Sequence, residues 1–536
     1  MKKFGTFFIL LVCVFVCFAM SEEGSIEEGV SAINFQHEKT NGILKRFEEI
    51  GKIYRCSKHE KLMGEYLMNW AIENDFQVNQ DEVGNVVIKV PGNSCKNKPV
   101  VVIQGHQDMV CVKTEESNHD FITDPIQFVF DDEWLSAKDT SLGADNGIGI
   151  AIAMELALDD SIKRPPMELL FTVDEETGLT GALSLQPGFI EGKILLNIDS
   201  EVEGHFTVGC AGGITSYLNL SLEYDSIPSD YVLMKVVADN MTGGHSGVDI
   251  HKGKANAIKV LARTLQELAA VSDIRVGNIK GGTVSNAIPR AAKADIFFPS
   301  LDEEKMRSVI SEINDLIKNE YLSVDPDLSI TMIELPNGSM NEATTSDSTK
   351  KVIDFIIALP HGVDAMSANI ENLVETSNNL AIVKMEDGQL QIITNQRSSL
   401  MAKLDEITNR IEEIARQFGG EGTSSNGYPS WEPNMDSSIM KICTETYENL
   451  FGKEPIVEVI HAGLECGVID NTYPGMDMIS FGPTIENAHT TDERVHIGSI
   501  GLIWDFMAQL LQEIRPLDDP DGTHGHHGHH GHDGDK

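Results

Sequence analysis

Five short segments of this chain place carboxylates and histidines where apolar runs end. They are His106-Gln107-Asp108, Asp145-Asn146-Gly147, Asp174-Glu175-Glu176, Asp199-Ser200 and a lone His489. Two imidazoles and three carboxylates form a ligand set for two divalent ions of the zinc type, because both donors suit such ions and one carboxylate can bridge. Any one segment alone reads more simply as a turn or a surface histidine; the set together does not. Asp108 stands two residues beyond His106, so in an extended segment both side chains point the same way and the carboxylate can hold the second imidazole nitrogen. The adjacent Glu175 and Glu176 allow a division of work, one ligating metal and the other acting as a general base on water.

The elements that must position these residues follow from hydrophobic periodicity. Between Thr40 and Asp75 the spacing of Ile43, Leu44, Phe47 and Ile50, then of Leu62, Tyr66, Leu67 and Trp70, predicts two amphipathic helices. Short apolar runs at Val86–Ile88, Val100–Gln104, Leu169–Val173 and Ile194–Ile198 predict strands of a sheet covered on both faces, with a helix over Gly147–Leu158. Strands alternating with helices imply an α/β fold with a mostly parallel sheet, whose sites lie beyond the carboxyl ends of the strands.

A Gly-rich break at Gly209–Gly213 opens a second region with its own strand and helix runs, among them Val232–Val237, Ala255–Leu268 and Leu400–Phe418. After Trp431 the first pattern resumes. The expected organisation is a discontinuous metal-binding domain over 40–211 and 432–515, interrupted by a smaller α/β lid over 212–431. Residues 1–20 read as a signal segment, with Lys2 and Lys3 before an apolar run that ends at Met20 and acidic residues after it. That pattern predicts a secreted or secretory-pathway protein, or a cytoplasmic one if the segment does not function. The tail 516–536 is Asp, Gly and His with almost nothing apolar, so it cannot bury a core and is expected to be disordered.

The length of 536 residues suits more than one core. A formal net charge of -42 excludes nucleic acid and stable anionic-membrane partners, which bind through Lys and Arg clusters. Cysteines outside the signal segment are scattered without CxxC pairs, and buried thiols are the expectation, with any pairing unreadable from spacing.

The segments Gln104–Met109, Ser141–Gly147, Thr172–Gly178 and Asn197–Glu201 resemble the successive signatures of M20 metallopeptidases, specifically the aminoacyl-histidine dipeptidase branch. The resemblance continues through Gly243–Gly247, Asn286–Arg290, His461–Gly467 and Ser480–Pro483, and so spans about Thr40 to Ile514. It implies a two-zinc peptidase domain with a lid, acting on dipeptides, with Co²⁺ or Mn²⁺ as substitute ions and a homodimer as one assembly. Carried over position by position, it makes Asp145 the bridge, His106 and Asp199 ligands of one ion, and Glu176 and His489 ligands of the other. Glu175 becomes the general base, Asp108 the residue that orients His106, and His245 the group that stabilises the oxyanion. Asn286, Arg290 and Arg397 become candidates for holding substrate and its free carboxylate. Two other readings stay open: a two-metal amidohydrolase of acylated amino acids, and a catalytically inactive secreted metal-binding protein.

Overall fold

The computed structural model describes residues 37–93, 98–336 and 340–514; the apolar N-terminal segment, Cys95 and the His-rich tail lie outside them. The chain builds two large sheets with separate cores. The first sheet has eight strands in the order Gln77–Gln80, Val86–Val90, Met167–Thr172, Val101–His106, Ile194–Asn197, Asp477–Ser480, His205–Cys210 and Ile456–Ile460. Four of its neighbour pairings are parallel and three antiparallel. The central strands Val101–His106, Met167–Thr172 and Ile194–Asn197 are buried along their whole length, as β-branched and apolar runs covered on both faces require.

Helices Glu38–Ile50, Ala144–Leu158, Ser438–Phe451 and Ile497–Glu513 cover this sheet. Glu38–Ile50 buries the stripe Ile43, Leu44, Phe47 and Ile50, and Ala144–Leu158 is apolar on nearly all sides because it is enclosed. One core cluster joins Ile43 and Ile103 to Cys443 and Phe506. The segment returning after the second sheet therefore completes the first hydrophobic core. Its entry is marked by reciprocal backbone hydrogen bonds between Cys210 and Trp431.

The second sheet, running from Gly212 to Tyr428, carries eight strands on one path with Gly362–Met366 added beside Val374–Glu386. Its pairings are all antiparallel. Helices Ala257–Val271, Glu303–Glu320, Ser346–Ala358 and Met401–Gln417 pack on it around a separate apolar cluster. Periodicity alone did not indicate that this region pairs antiparallel, since hydrogen-bond direction leaves little trace in short apolar runs.

A four-stranded sheet was not foreseen. It pairs Ile485–Glu486, Arg494–His496, Trp134–Ala137 and Phe128–Phe130. These strands are too short for their alternation to register, yet the sheet holds the loop of His489 against the segment that leads into Asp145. Among the cysteines, Cys56 and Cys111 form a disulfide with their Cα atoms 5.5 Å apart, while Cys210, Cys443 and Cys466 are buried thiols. Among the described residues no helix is long and apolar enough to cross a membrane.

Candidate active site

The carboxyl ends of the parallel strands converge. His106 closes its strand, Asp174–Glu176 follow Thr172, and Asp199 follows Asn197. Asp145 arrives from the start of the buried helix, and the next residue, Asn146, presses its side chain against the histidine strand so closely that a Cβ on Gly105 would collide with Asn146 Oδ1. His489 and Asp174 both hold a left-handed backbone, with φ of 66° and 50°, a conformation that costs energy in non-glycine residues and gathers at functional sites.

The two imidazoles reach opposite oxygens of one carboxylate. His106 Nε2 is 3.0 Å from Asp145 Oδ1, and His489 Nε2 is 3.0 Å from Asp145 Oδ2. His106 Nε2 also lies 3.2 Å from Asp199 Oδ1, and His489 Nε2 is 2.9 Å from Glu176 Oε2. The other face of His106 is held by Asp108, with Nδ1 3.3 Å from its carboxylate and 3.1 Å from its carbonyl. Asp108 in turn accepts the backbone N–H groups of Glu175 and Glu176 at 3.0 and 3.3 Å, which couples the histidine strand to the acidic turn.

This is a concentration of negative charge in a nearly dry place. Burial first, then Asp145, raises the Glu176 carboxyl to about 7. Burial, reinforced by Glu176, Asp199 and Glu465 against the pull of His106, lifts Glu175 well above the carboxylate range. Burial alone would lower the histidines, yet Asp199, Asp108 and Asp145 raise His106, and Asp145 with Glu176 raise His489 to about 11. Glu176 Oε1 is buried without a hydrogen-bond partner, and Asp199 Oδ1 has only the His106 imidazole nearby. Orphaned carboxylate oxygens beside imidazole nitrogens fit divalent cations, and ligand atoms of His106, Asp145 and Glu176 lie within 4.8 Å of one another. A second acidic group, Glu60, Asp108 and Asp174, sits behind the first. There Glu60 accepts from the backbone of Lys58 and Asp174, and Asp174 from Thr177 and Thr180, so those oxygens already serve the loop.

A pH dependence follows. Glu176 and His489 bind protons more tightly in the folded, metal-free protein than in the unfolded chain. The stability this gives is complete below the ordinary carboxylate value of 4.5 and is lost for Glu176 as pH rises through about 7. For His489 the loss extends from 6.5 toward 11. Asp145, held below its ordinary 3.8 by both histidines despite burial, acts in the opposite sense only at more acid pH. Denaturant titrations of metal-free protein should therefore show stability falling from about pH 5 to about pH 8, while affinity for a divalent ion rises over the same range as protons cease to compete.

Three polar residues that spacing did not single out brace the site. Arg55, 1 % exposed, donates to the carbonyls of Gln107, Asp108 and Gly143 at 3.1, 2.9 and 2.5 Å. The Glu493 carboxylate accepts the backbone N–H groups of Leu142, Gly143 and Ala144 at 2.8, 2.9 and 2.8 Å. Glu465 is buried against Gln104 Nε2 and Thr172 Oγ1 at 2.5 and 2.7 Å, and burial raises it to about 8. Only Glu465 lay within a segment already notable in sequence.

His245 comes from a separate two-stranded pairing, Gly244–His245 with Ala287–Ile288. Its Nδ1 accepts the backbone N–H groups of Gly247 and Val248 at 3.1 and 3.2 Å, which leaves Nε2 as the donor. Burial, then Arg397 nearby, lowers it to about 4, so it is neutral near pH 7. Arg397 is not on a surface loop: it lies on the strand Gln389–Ser398, buried, and donates to Tyr428 Oη at 2.9 Å. Asn286 and Arg290 flank Ala287–Ile288, the strand paired with Gly244–His245, but their side chains are exposed; the Asn286 carbonyl accepts from Ser246, and Arg290 Nε donates to the Met241 carbonyl at 3.2 Å.

Residues 238–325 match the family model of the M20 peptidase dimerisation domain. The cytosol non-specific dipeptidase of Escherichia coli strain K12 is 38% identical over 469 residues, covering 87% of this chain and 96% of the relative. Among solved structures, aminoacylhistidine dipeptidase from Vibrio alginolyticus is 37% identical with a TM-score of 0.78, covering 91% of this chain and 99% of its own. An aminopeptidase from Bacillus cereus shares the fold at 15% identity and a TM-score of 0.51. The expectation of a secreted or secretory-pathway protein is corrected here. It rested on the composition of residues 1–23, whereas the similarity extends over most of the chain and leads to a dipeptidase named for the cytosol. An apolar run flanked by charge is a compositional sign only, outweighed by likeness along nearly the whole length. The chain belongs to the M20 metallopeptidase family, in its aminoacyl-histidine dipeptidase branch.

Proposed function

We propose that the protein is a two-zinc dipeptidase that hydrolyses dipeptides, Xaa-His among them, with Co²⁺ or Mn²⁺ able to substitute. The observation that carries this reading is Asp145, whose two oxygens each meet a different histidine at 3.0 Å. That is the arrangement a carboxylate shared between two cations needs. His106 and Asp199 would hold one ion, Glu176 and His489 the other. When bound, such a pair polarises the scissile carbonyl and lowers the pKa of the attacking water.

The chain's own residues do the rest. Glu175 takes the proton from the attacking water and passes it to the leaving amine, returning to its starting state. The His245 Nε2–H, kept neutral and aimed by the two backbone donors on Nδ1, hydrogen-bonds the developing oxyanion, a contribution of about 3–4 kcal/mol in comparable sites. Arg397 faces the substrate's free carboxylate, while Asn286 and Arg290 lie on the rim. Residues 40–211 with 432–515 act as the catalytic domain and 212–431 as the lid, and a homodimer through the lid agrees with the matched dimerisation domain.

Hydrolysis of a small dipeptide panel, including Ala-His, is the test. Cleavage should vanish on chelation and return with zinc, and acetylated amino acids should be poor substrates. Zinc-restored, folded protein that cleaved acetylated amino acids but no dipeptide would overturn this reading.

A further inference from the structure

Tyr428 ends the edge strand Glu421–Tyr428 and pairs in register with Gly213 on the neighbouring strand. Gly213 is also the register partner of Arg397 from the other side. Three strands thus set Tyr428 and Arg397 on either side of a residue with no side chain, and there Arg397 Nη1 donates to the phenol oxygen at 2.9 Å. A Cβ on Gly213 would lie 2.5 Å from that oxygen, and a Cβ on Gly463 would lie 2.6 Å from the ring. Neither glycine has a positive φ, so what both positions supply is room for the ring rather than backbone freedom. These two glycines come from the segments Gly209–Gly213 and His461–Gly467, distinctive in sequence yet outside the metal chemistry, and both converge on this one side chain.

The setting of Arg397 shows what the pair awaits. Arg397 is 6% exposed, its Nε has no hydrogen-bond partner, and no carboxylate lies within 4.0 Å of its guanidinium among the described residues. A buried cation without a counter-ion is costly to keep. Tyr428 offers it a lone pair but no charge. Because the phenol oxygen accepts from Arg397, its own O–H remains available to donate. The ring is partly exposed, and Glu175 lies within electrostatic reach of the hydroxyl.

Resting on the dipeptidase reading above, we infer that Tyr428 determines specificity: oriented by Arg397, its hydroxyl donates to the substrate's free α-carboxylate and selects peptides that end one residue beyond the scissile bond. A carboxylate satisfies the guanidinium and the phenol together. A carboxamide or a continuing peptide brings no charge to the cation, so such substrates gain little from either.

The test compares native protein with Tyr428→Phe, both zinc-loaded, on Ala-His and on Ala-His amide. The KM for Ala-His should rise on the order of tenfold or more, the loss of one hydrogen bond to a charged group. Its kcat should stay within about twofold, and the amide kinetics should be unchanged. A merely structural tyrosine would move both substrates alike, and that result, or an unaltered KM for Ala-His, overturns the inference while leaving the dipeptidase reading intact. Native protein that cleaves no dipeptide overturns the dipeptidase reading and the inference with it. Gly463→Ala, whose methyl group displaces the ring, should give the same acid-selective rise in KM, and it supplies the measurement if Tyr428→Phe does not fold.

Discussion

Glu175→Gln should lower kcat by about 10²–10⁴-fold while the protein keeps its full content of metal. Gln matches Glu in shape and still offers a carbonyl oxygen, so the acidic turn is preserved. The backbone N–H of residue 175 remains bonded to Asp108 Oδ1 at 3.0 Å, because that contact does not involve the side chain. What Gln cannot do is accept a proton from water and release it to the amine. Glu176, the neighbouring carboxylate, is engaged with His489 at 2.9 Å and cannot take over. Steady-state kinetics beside metal analysis of the same preparation separates the outcomes. Lost turnover with lost metal would make residue 175 a ligand, and turnover within tenfold of native would remove it from the proton path.

Arg55→Met should lower stability of the metal-free protein by about 3–5 kcal/mol, the usual cost of stripping a buried charge from its partners. Three carbonyls lose their donor at once, those of Gln107, Asp108 and Gly143. Glu493, Asp108, Asp145 and Glu176 lose the cation that offsets their mutual repulsion; burial lowers Arg55 only to about 10, so it carries its charge near neutrality. Met fills much of the same volume, which keeps cavity formation small. Because Arg55 anchors the backbone on both sides of the site, between His106 and Asp145, metal affinity should also fall, by about 10–100-fold. Urea titrations with chelator and with saturating zinc check both effects. Bound ions replace part of the missing positive charge, so the deficit should shrink with zinc present. A deficit below about 1 kcal/mol in chelator would mean that Arg55 is merely packed there.

Much of this site was legible in one dimension. His106, Glu176 and Asp199 were visible because metal chemistry restricts residue types and parallel strands deliver their chemistry immediately after an apolar run, whereas Asp145, at a helix start, and His489, in a loop between two short antiparallel strands, were visible by residue type alone. Asp108 was visible because two residues of extended chain return a side chain to the same face. Arg55, Glu493 and Tyr428 were not, since each acts through a partner far away in sequence: Arg55 on Gly143, Glu493 on Leu142 to Ala144, Tyr428 on Arg397. Arg397 was a candidate for the substrate carboxylate only through the resemblance; the fold alone buries it on a strand beside Tyr428. The Cys56–Cys111 pair was equally hidden, because spacing does not encode which thiols meet.

The sequence on its own carried the α/β class, the pattern of interrupted and resumed strands, and a set of candidate ligands of the type that divalent cations take. Local chemistry suffices for these: apolar periodicity selects elements, and donor type selects metals. The tertiary structure alone decided that both histidines meet the two oxygens of Asp145, that His245 stands neutral with Nε2 as donor, and that Gly213 and Gly463 make room for Tyr428 beside a buried guanidinium. Each of these depends on strands distant in sequence coming into register, and on burial, which sets pKa values and the need for counter-charge only once the chain has folded.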